Sequence, residues 1–269
     1  MSEAIIAYLS AADPVMKRLI AAAGPFALEA LEEHSPFEVL ARSIAHQQLN
    51  GKAAQSILNR FISTCGQGVF PRPEALLGLQ DAAIRAAGFS FSKIAALRDL
   101  ATKTISGVVP EREALHALSD LEIIERLTEV RGIGRWSVEM LLMFQLRRPD
   151  VLPVDDFGVR YGFRLAYGQR EMPAPKVLAL FGERWGPYRS AAAWYLWRAV
   201  DLARAGQLPP PVAVLKLPRL PRKRRKVAAP AARKARRGAA SSVRPKRSGA
   251  RTRARRPPAR RSRVPAKKK

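Results

Sequence analysis

Three groups of residues in this chain have types and spacings that could do chemistry. The first lies in Leu127-Thr128-Glu129-Val130-Arg131-Gly132-Ile133-Gly134-Arg135-Trp136-Ser137-Val138, where two glycines one residue apart separate two apolar-patterned stretches. Glycine permits the backbone conformations and close approaches that a tight turn needs, and a helix that starts just after such a turn leaves backbone N–H groups pointing outward. Together they form a cradle sized for a phosphate, flanked here by Arg131 and Arg135, with Ile133 between the glycines as the apolar anchor. The second group is the carboxylate pair in Leu152-Pro153-Val154-Asp155-Asp156-Phe157-Gly158, with Asp156 twenty residues after Trp136. Either carboxylate could cap the helix expected to run on through Tyr167, and a carboxylate fixed at a helix start is well placed to stabilise developing positive charge. The third group is aromatic. Trp136, Trp194 and Trp197 offer electron-rich faces that attract cationic groups, although aromatics at helical spacing commonly pack a core. Metal chemistry has no obvious footing. The three histidines and the single cysteine, Cys65, are scattered, and one cysteine excludes an internal disulfide framework or a four-cysteine metal or iron–sulfur site.

The elements that must position these residues read as helices. Ser35-Pro36 opens an apolar series, Phe37, Leu40, Ile44, with a cap and a proline at its start. Ala53, Ile57, Leu58 and Phe61 repeat the same period, and Pro71 and Pro73 break it. Leu76, Leu77 and Leu79 suggest a short helix, and Gly88 separates 82–87 from a helix over roughly Ser92 to Ser106. Ser119 with Glu122 three residues later spells a capping box ahead of Leu121 to Thr128. Alternating runs are short and no Asn-Gly or Asp-Gly hairpin turn appears. The expectation is an all-α fold of about ten helices.

Charge divides the chain sharply. Of its 48 Lys and Arg, 24 fall between Lys216 and Lys269 with no Asp or Glu among them, which leaves 24 basic against 22 acidic residues, a net of +2, in the rest. That terminal stretch is rich in Pro, Ala and Ser and has no aromatic residue. It cannot bury enough surface to offset chain entropy, so residues 209–269 are expected to be a disordered tail after a helical domain of residues 1–208, with the boundary at the Leu208-Pro209-Pro210-Pro211 run. Like charges at this density repel until a polyanion neutralises them; the plainer alternative is a solubilising appendage. No apolar stretch reaches the ~20 residues that a membrane span needs, and Met1 to Ser10 carries Glu3 but no basic segment. An intracellular protein without a membrane partner is expected.

The glycine hairpin followed at this spacing by a Pro-containing loop and Asp156 resembles the helix-hairpin-helix Gly/Pro–Asp superfamily of DNA glycosylases. The resemblance implies two helical subdomains flanking a cleft, with Asp156 as the catalytic carboxylate and Asp155 as its neighbour. It implies that Arg131, Gly132, Ile133, Gly134 and Arg135 hold a DNA phosphate, with a monovalent cation on the hairpin carbonyls as a structural aid and no other metal or cofactor. Bifunctional members carry a lysine where this chain has Trp136. An indole cannot form a Schiff base, and arginine, the only basic residue type nearby, stays protonated, so a monofunctional enzyme without strand-nicking activity is implied. The absence of the four-cysteine cluster of another branch points to the 3-methyladenine DNA glycosylase II type, here without the N-terminal β domain of longer bacterial members.

Further segments resemble that branch. His46-Gln47-Gln48-Leu49-Asn50 matches the loop whose side chain fills the gap left by a flipped base, with Gln48 as first choice and Leu49 second. Trp136, Trp197, Trp194 and Phe157 are candidates for the base pocket, although Trp194 reads better as core. Lys93, in Gly88-Phe89-Ser90-Phe91-Ser92-Lys93, reads as structural or phosphate-facing. The implied partner is double-stranded DNA with damaged bases, the tail adding phosphate contacts to a monomer. The expected compartment is the cytoplasm at a bacterial nucleoid, or a nucleus, for which Arg222 to Lys226 could be an address. The alternatives are a non-catalytic hairpin DNA-binding module and a monofunctional glycosylase for mismatched or oxidised bases. Deleting residues 216–269 is expected to weaken duplex binding at low salt and to flatten its salt dependence, by ~0.9 in slope for each phosphate that the tail neutralises. Single-turnover chemistry at saturating protein should be unchanged, and a parallel fall in that rate would contradict a purely binding tail.

Overall fold

The computed structural model describes residues 2–28, 33–49, 51–211 and 217–218. The described residues all belong to one compact unit, Met1–Arg222. The expected disordered tail therefore lies almost wholly outside the described residues. The division expected after residue 208 falls within this unit, where Pro211 rests against Gly168 and Leu217 packs on the core.

The described residues form thirteen α-helices and one 3₁₀ turn, and no strand. In chain order they are α1 (Ser2–Ala12), α2 (Pro14–Ala23), α3 (Pro36–His46), α4 (Gly51–Cys65), α5 (Pro73–Gly78), α6 (Asp81–Ala86), α7 (Phe91–Ile105), α8 (Arg112–His116), α9 (Asp120–Leu127), α10 (Arg135–Phe144), α11 (Phe157–Ala166), α12 (Pro175–Gly182) and α13 (Arg189–Arg204), with the 3₁₀ turn Glu183–Trp185 before α13. None is long and apolar enough to cross a membrane. The expected all-α class holds, and the higher helix number comes from α1, α2 and several five- to eight-residue helices whose turns are too short to show a period in sequence.

The caps read from sequence are present. The Ser35 hydroxyl accepts from the Glu38 N–H, with Pro36 at the first helical position. Ser119 and Glu122 complete a reciprocal capping box on α9, which satisfies two backbone donors at once.

The helices pack in two groups. In one, α7 lies against α3, α5 and α6, α4 packs on α3 and α6, and α10 packs on α3 and α9; in the other, α13 lies against α2, α11 and the 3₁₀ turn, with α1 on α2 and α12 beside the turn. The tightest crossing is α11 on α13. A methyl group at Gly162 would come within 1.9 Å of the Leu196 carbonyl oxygen, and one at Gly158 within 2.8 Å of the Trp197 ring, so bare backbone is what lets the two helices meet.

A buried carboxylate holds the second group together. Asp13 caps α2 through the N–H groups of Val15 and Met16, and its other oxygen accepts the Tyr167 hydroxyl at 2.7 Å and the Trp185 indole at 3.1 Å. All four donors find an acceptor, which makes a fully buried charge tolerable. Burial, reinforced by Asp13, pushes the Tyr167 hydroxyl well up from its ordinary pKa, so it stays a donor.

Candidate active site

Asp156 is the N-cap of α11, and its side chain accepts the Val159 N–H at 2.7 Å. That bond alone would make it an ordinary cap. Two further donors make it unusual. The Trp197 indole N–H, from α13, reaches Oδ1 at 2.8 Å, and the Trp136 indole N–H, from the first turn of α10, reaches Oδ2 at 2.8 Å. The carboxylate thus joins the two helix groups at their boundary. A carboxylate offers about four lone-pair sites, and the three donors leave the open one on Oδ2. Trp197 is itself held by parallel stacking on Phe144, centroids 5.8 Å apart. Both indoles and Asp156 are half-buried, whereas Asp155 is exposed.

The structure therefore brings together Asp156, Trp136 and Trp197, and adds Phe144, which in the sequence is one more apolar position of α10. Trp194 packs elsewhere, edge-on against Phe26 at 5.5 Å and Tyr195 at 4.9 Å, with the Arg198 guanidinium over its ring. Phe157 is 66% exposed and stacks on Tyr161, one helical turn later, on the outer surface of α11.

The hairpin has the expected shape. Gly132 adopts φ +78°, a conformation that disfavours any side chain, and Ile133 is buried. Gly134 caps α10 with no side-chain hydrogen bond, so the first N–H groups of that helix are open to an anion. Arg131 and Arg135 are exposed on either side. Of the carbonyls that could share a monovalent cation, Val130 O already accepts the Ile133 N–H at 3.0 Å and Gly132 O the Gln47 side chain at 2.7 Å; each keeps a second lone pair. Among the described residues, no group of three or more His, Cys, Asp or Glu is placed to hold a metal ion.

The loop after α3 lies beside the hairpin. Gln48 sits at φ +59°, rare for a residue with a side chain, and is exposed, as is Leu49 at 41%. Asn50 lies outside the described residues. His46 has its pKa lowered by burial and by the Arg42 and Lys93 charges, which favours the neutral imidazole at neutral pH.

Glu139 carries no expectation from sequence because it stands inside the apolar stretch of α10. Its side chain is 4% exposed and accepts from Arg135 Nε at 2.8 Å. Burial raises its pKa; Arg135 pulls the value down, and the Asp155 and Asp156 charges push it up again.

Residues 41–187 match the family described as "HhH-GPD superfamily base excision DNA repair protein". The chain is 44% identical over 197 residues to DNA-3-methyladenine glycosylase 1 of Schizosaccharomyces pombe, covering 73% of this chain and 86% of that protein. Among solved structures it is similar to the Schizosaccharomyces pombe 3-methyladenine DNA glycosylase in complex with abasic DNA, with a TM-score of 0.71 and 43% identity over 74% of this chain and 97% of that one. It is also similar to the DNA-3-methyladenine glycosidase of Bacillus halodurans, with a TM-score of 0.66 and 36% identity over 74% and 91%.

The Glu139 geometry has a measurable consequence. A carboxyl whose folded pKa lies above its unfolded value contributes stability that is complete below the ordinary 4.5 and is lost as pH rises through the raised value. In denaturant titrations, the stability of the wild type relative to Glu139→Gln should fall with pH across that window and level off above it. A difference that stays constant with pH would contradict the burial of this carboxyl.

Proposed function

The chain belongs to the HhH-GPD superfamily of base excision DNA repair proteins, and on that footing we propose that it flips alkylated bases out of duplex DNA and hydrolyses their N-glycosidic bonds, with Asp156 as the catalytic carboxylate. The observation that carries this reading is the pair of indole N–H bonds on Asp156. A capping carboxylate needs neither, and together they fix both oxygens in one orientation.

Breaking an N-glycosidic bond develops positive charge on the sugar, as in other glycoside hydrolyses. A carboxylate already held in place stabilises that charge without reorganising as it forms. The open lone pair on Oδ2 can face the sugar or accept a proton from the attacking water. Position 136, where bifunctional relatives are expected to carry an amine, instead supplies an N–H that orients Asp156. This supports a monofunctional enzyme, since no Schiff base can form there.

Alkylation at a ring nitrogen makes a base cationic and weakens its bond to the sugar. The half-buried faces of Trp136 and Trp197 suit such a base through cation–π attraction. Trp194 and Phe157, committed to other contacts, fit this pocket less well. Flipping costs a few kcal/mol of unstacking, and Gln48 and Leu49, exposed on the loop next to the hairpin, are suited to fill the gap. The hairpin N–H groups, Arg131 and Arg135 hold the backbone, with a monovalent cation as an aid to the turn, and the basic residues beyond Lys216 add phosphate contacts. The protein would act as a monomer wherever DNA is kept, nucleoid or nucleus.

Single-turnover release of 3-methyladenine and 7-methylguanine from methylated duplex tests the reading. Asp156→Asn should lower the rate about a hundredfold or more with duplex binding retained, and strands should break only after alkali. No release by the wild type from methylated duplex would rule out the alkyl-base reading, and undiminished release by Asp156→Asn would remove Asp156 from the chemistry.

A further inference from the structure

Helix α7 touches both loops that would grip DNA, and does so along one face. Lys93, Ala96, Asp99 and Lys103 recur at intervals of three, three and four residues, which places them in a row. At the start of the row, Lys93 Nζ donates to the carbonyls of Ala45 at 2.8 Å and Gln47 at 2.9 Å. These are the last carbonyls of α3 and its C-cap, where a cation is favoured by both hydrogen bonding and the helix dipole. Two of the ammonium's three N–H groups are therefore turned inward, away from any phosphate. Burial lowers the Lys93 pKa, a desolvation cost that the two carbonyls offset.

Further along the row, the Ala96 methyl lies 3.1 Å from where a side chain at Gly132 would begin. Asp99 Oδ2 accepts the Arg131 N–H at 2.7 Å, and Lys103 pairs with Asp99 at 3.2 Å while also donating to the Glu129 carbonyl. The loop and the hairpin are also tied directly by Gln47 Nε2 to Gly132 O at 2.7 Å. Between the Lys93 and Asp99 anchors, α7 rises roughly 9 Å at 1.5 Å per residue.

We propose that α7 is the spacer that sets the loop carrying Gln48 and Leu49 at a fixed distance from the phosphate-binding hairpin, and that Lys93 is a positioning residue for the side chain that enters the DNA stack. This rests on the DNA-binding reading given above. Gln48 occupies a left-handed backbone conformation that a side-chain-bearing residue keeps only when its surroundings over-determine it. The Lys93 bond to the Gln47 carbonyl and the Leu49 N–H bond to the His46 carbonyl are the restraints on either side. Without the ammonium, the Ala45 and Gln47 carbonyls lose the donor that Lys93 supplies next to that residue, while the hairpin keeps its own bonds with Asp99.

The experiment uses the full chain and a duplex with 2-aminopurine next to a stable abasic-site analogue. Fluorescence reports entry of a side chain into the stack, and anisotropy reports binding. The wild type should change the fluorescence on binding. Lys93→Met should lose most of that change while its Kd shifts by less than about threefold, because the phosphate contacts remain, and Lys93→Arg should recover part of it. A full fluorescence change in Lys93→Met, a loss of affinity in proportion to the fall in signal, or no change with the wild type would each overturn the proposal. Should Lys93→Met fail to fold by circular dichroism, Lys93→Gln, a neutral side chain one atom shorter than lysine, is read in the same way. Base release by the wild type is measured alongside. Its absence with the fluorescence difference intact would refute the glycosylase reading while leaving the spacer standing.

Discussion

The architecture around the site depends on one carboxylate being claimed from two sides. Asp156 accepts an indole N–H from α10 in one helix group and another from α13 in the other, while its own helix supplies a third donor from Val159. Hydrogen bonds to a charged group contribute about 1.5–3 kcal/mol each; the Val159 bond is local to α11 and the Trp197 bond lies within the second group, so the Trp136 bond is the one lost if the two groups slide by an ångström or two. The close crossing of α11 on α13 at Gly158 and Gly162 follows from the same requirement. Trp197 can reach Oδ1 only if the two helices approach backbone to backbone. The residue proposed to do the chemistry is therefore also a keystone between the groups, and its geometry is fixed before any ligand arrives.

The same economy governs the DNA-facing side. The hairpin and the loop after α3 are both short and exposed, and neither has a core of its own. Each is pinned from behind, by Asp99 on the Arg131 N–H and by Lys93 on the Ala45 and Gln47 carbonyls. Polar side chains are suited to this role. They hold backbone groups in place without filling the open face of the loop, and each uses a donor or acceptor that would otherwise be unsatisfied near the surface.

Local signals made much of this legible from the residues alone. Ser35-Pro36 and Ser119 with Glu122 announce helix starts because capping is a matter of three or four adjacent residues. The hairpin is legible because only glycine sits comfortably at φ +78°. Asp156 and Trp136 could be named by spacing, but the bond between them could not, since it depends on how α11 meets α10. The two tryptophans of α13 show the limit most clearly. Trp194 and Trp197 stand one turn apart on adjacent faces, and which of them meets Asp156 is decided by how far α13 is rotated against α11. Asp13-Pro14 announces the start of α2 as Ser35-Pro36 announces that of α3, but the further role of Asp13 leaves no local trace, because it finds Tyr167 and Trp185 at separations of 154 and 172 residues. Glu139 is hidden for a related reason. A single acid within an apolar run carries no sign of whether it faces water or turns inward onto the arginine one turn before it. The basic stretch beyond Lys216 is described by composition alone.

The most direct test of Asp156 as the shared acceptor is a double-mutant cycle on single-turnover base release, pairing Trp197→Phe with Asp156→Asn, and then Trp136→Phe with the same partner. If each indole works by orienting the carboxylate, its removal should slow the wild type roughly tenfold or more, the equivalent of ~1.4 kcal/mol or more, and should cost almost nothing once Asp156 is already Asn. Penalties that simply add in the double variants would show that the tryptophans act independently of Asp156, and the carboxylate would no longer be the point on which the two helix groups converge.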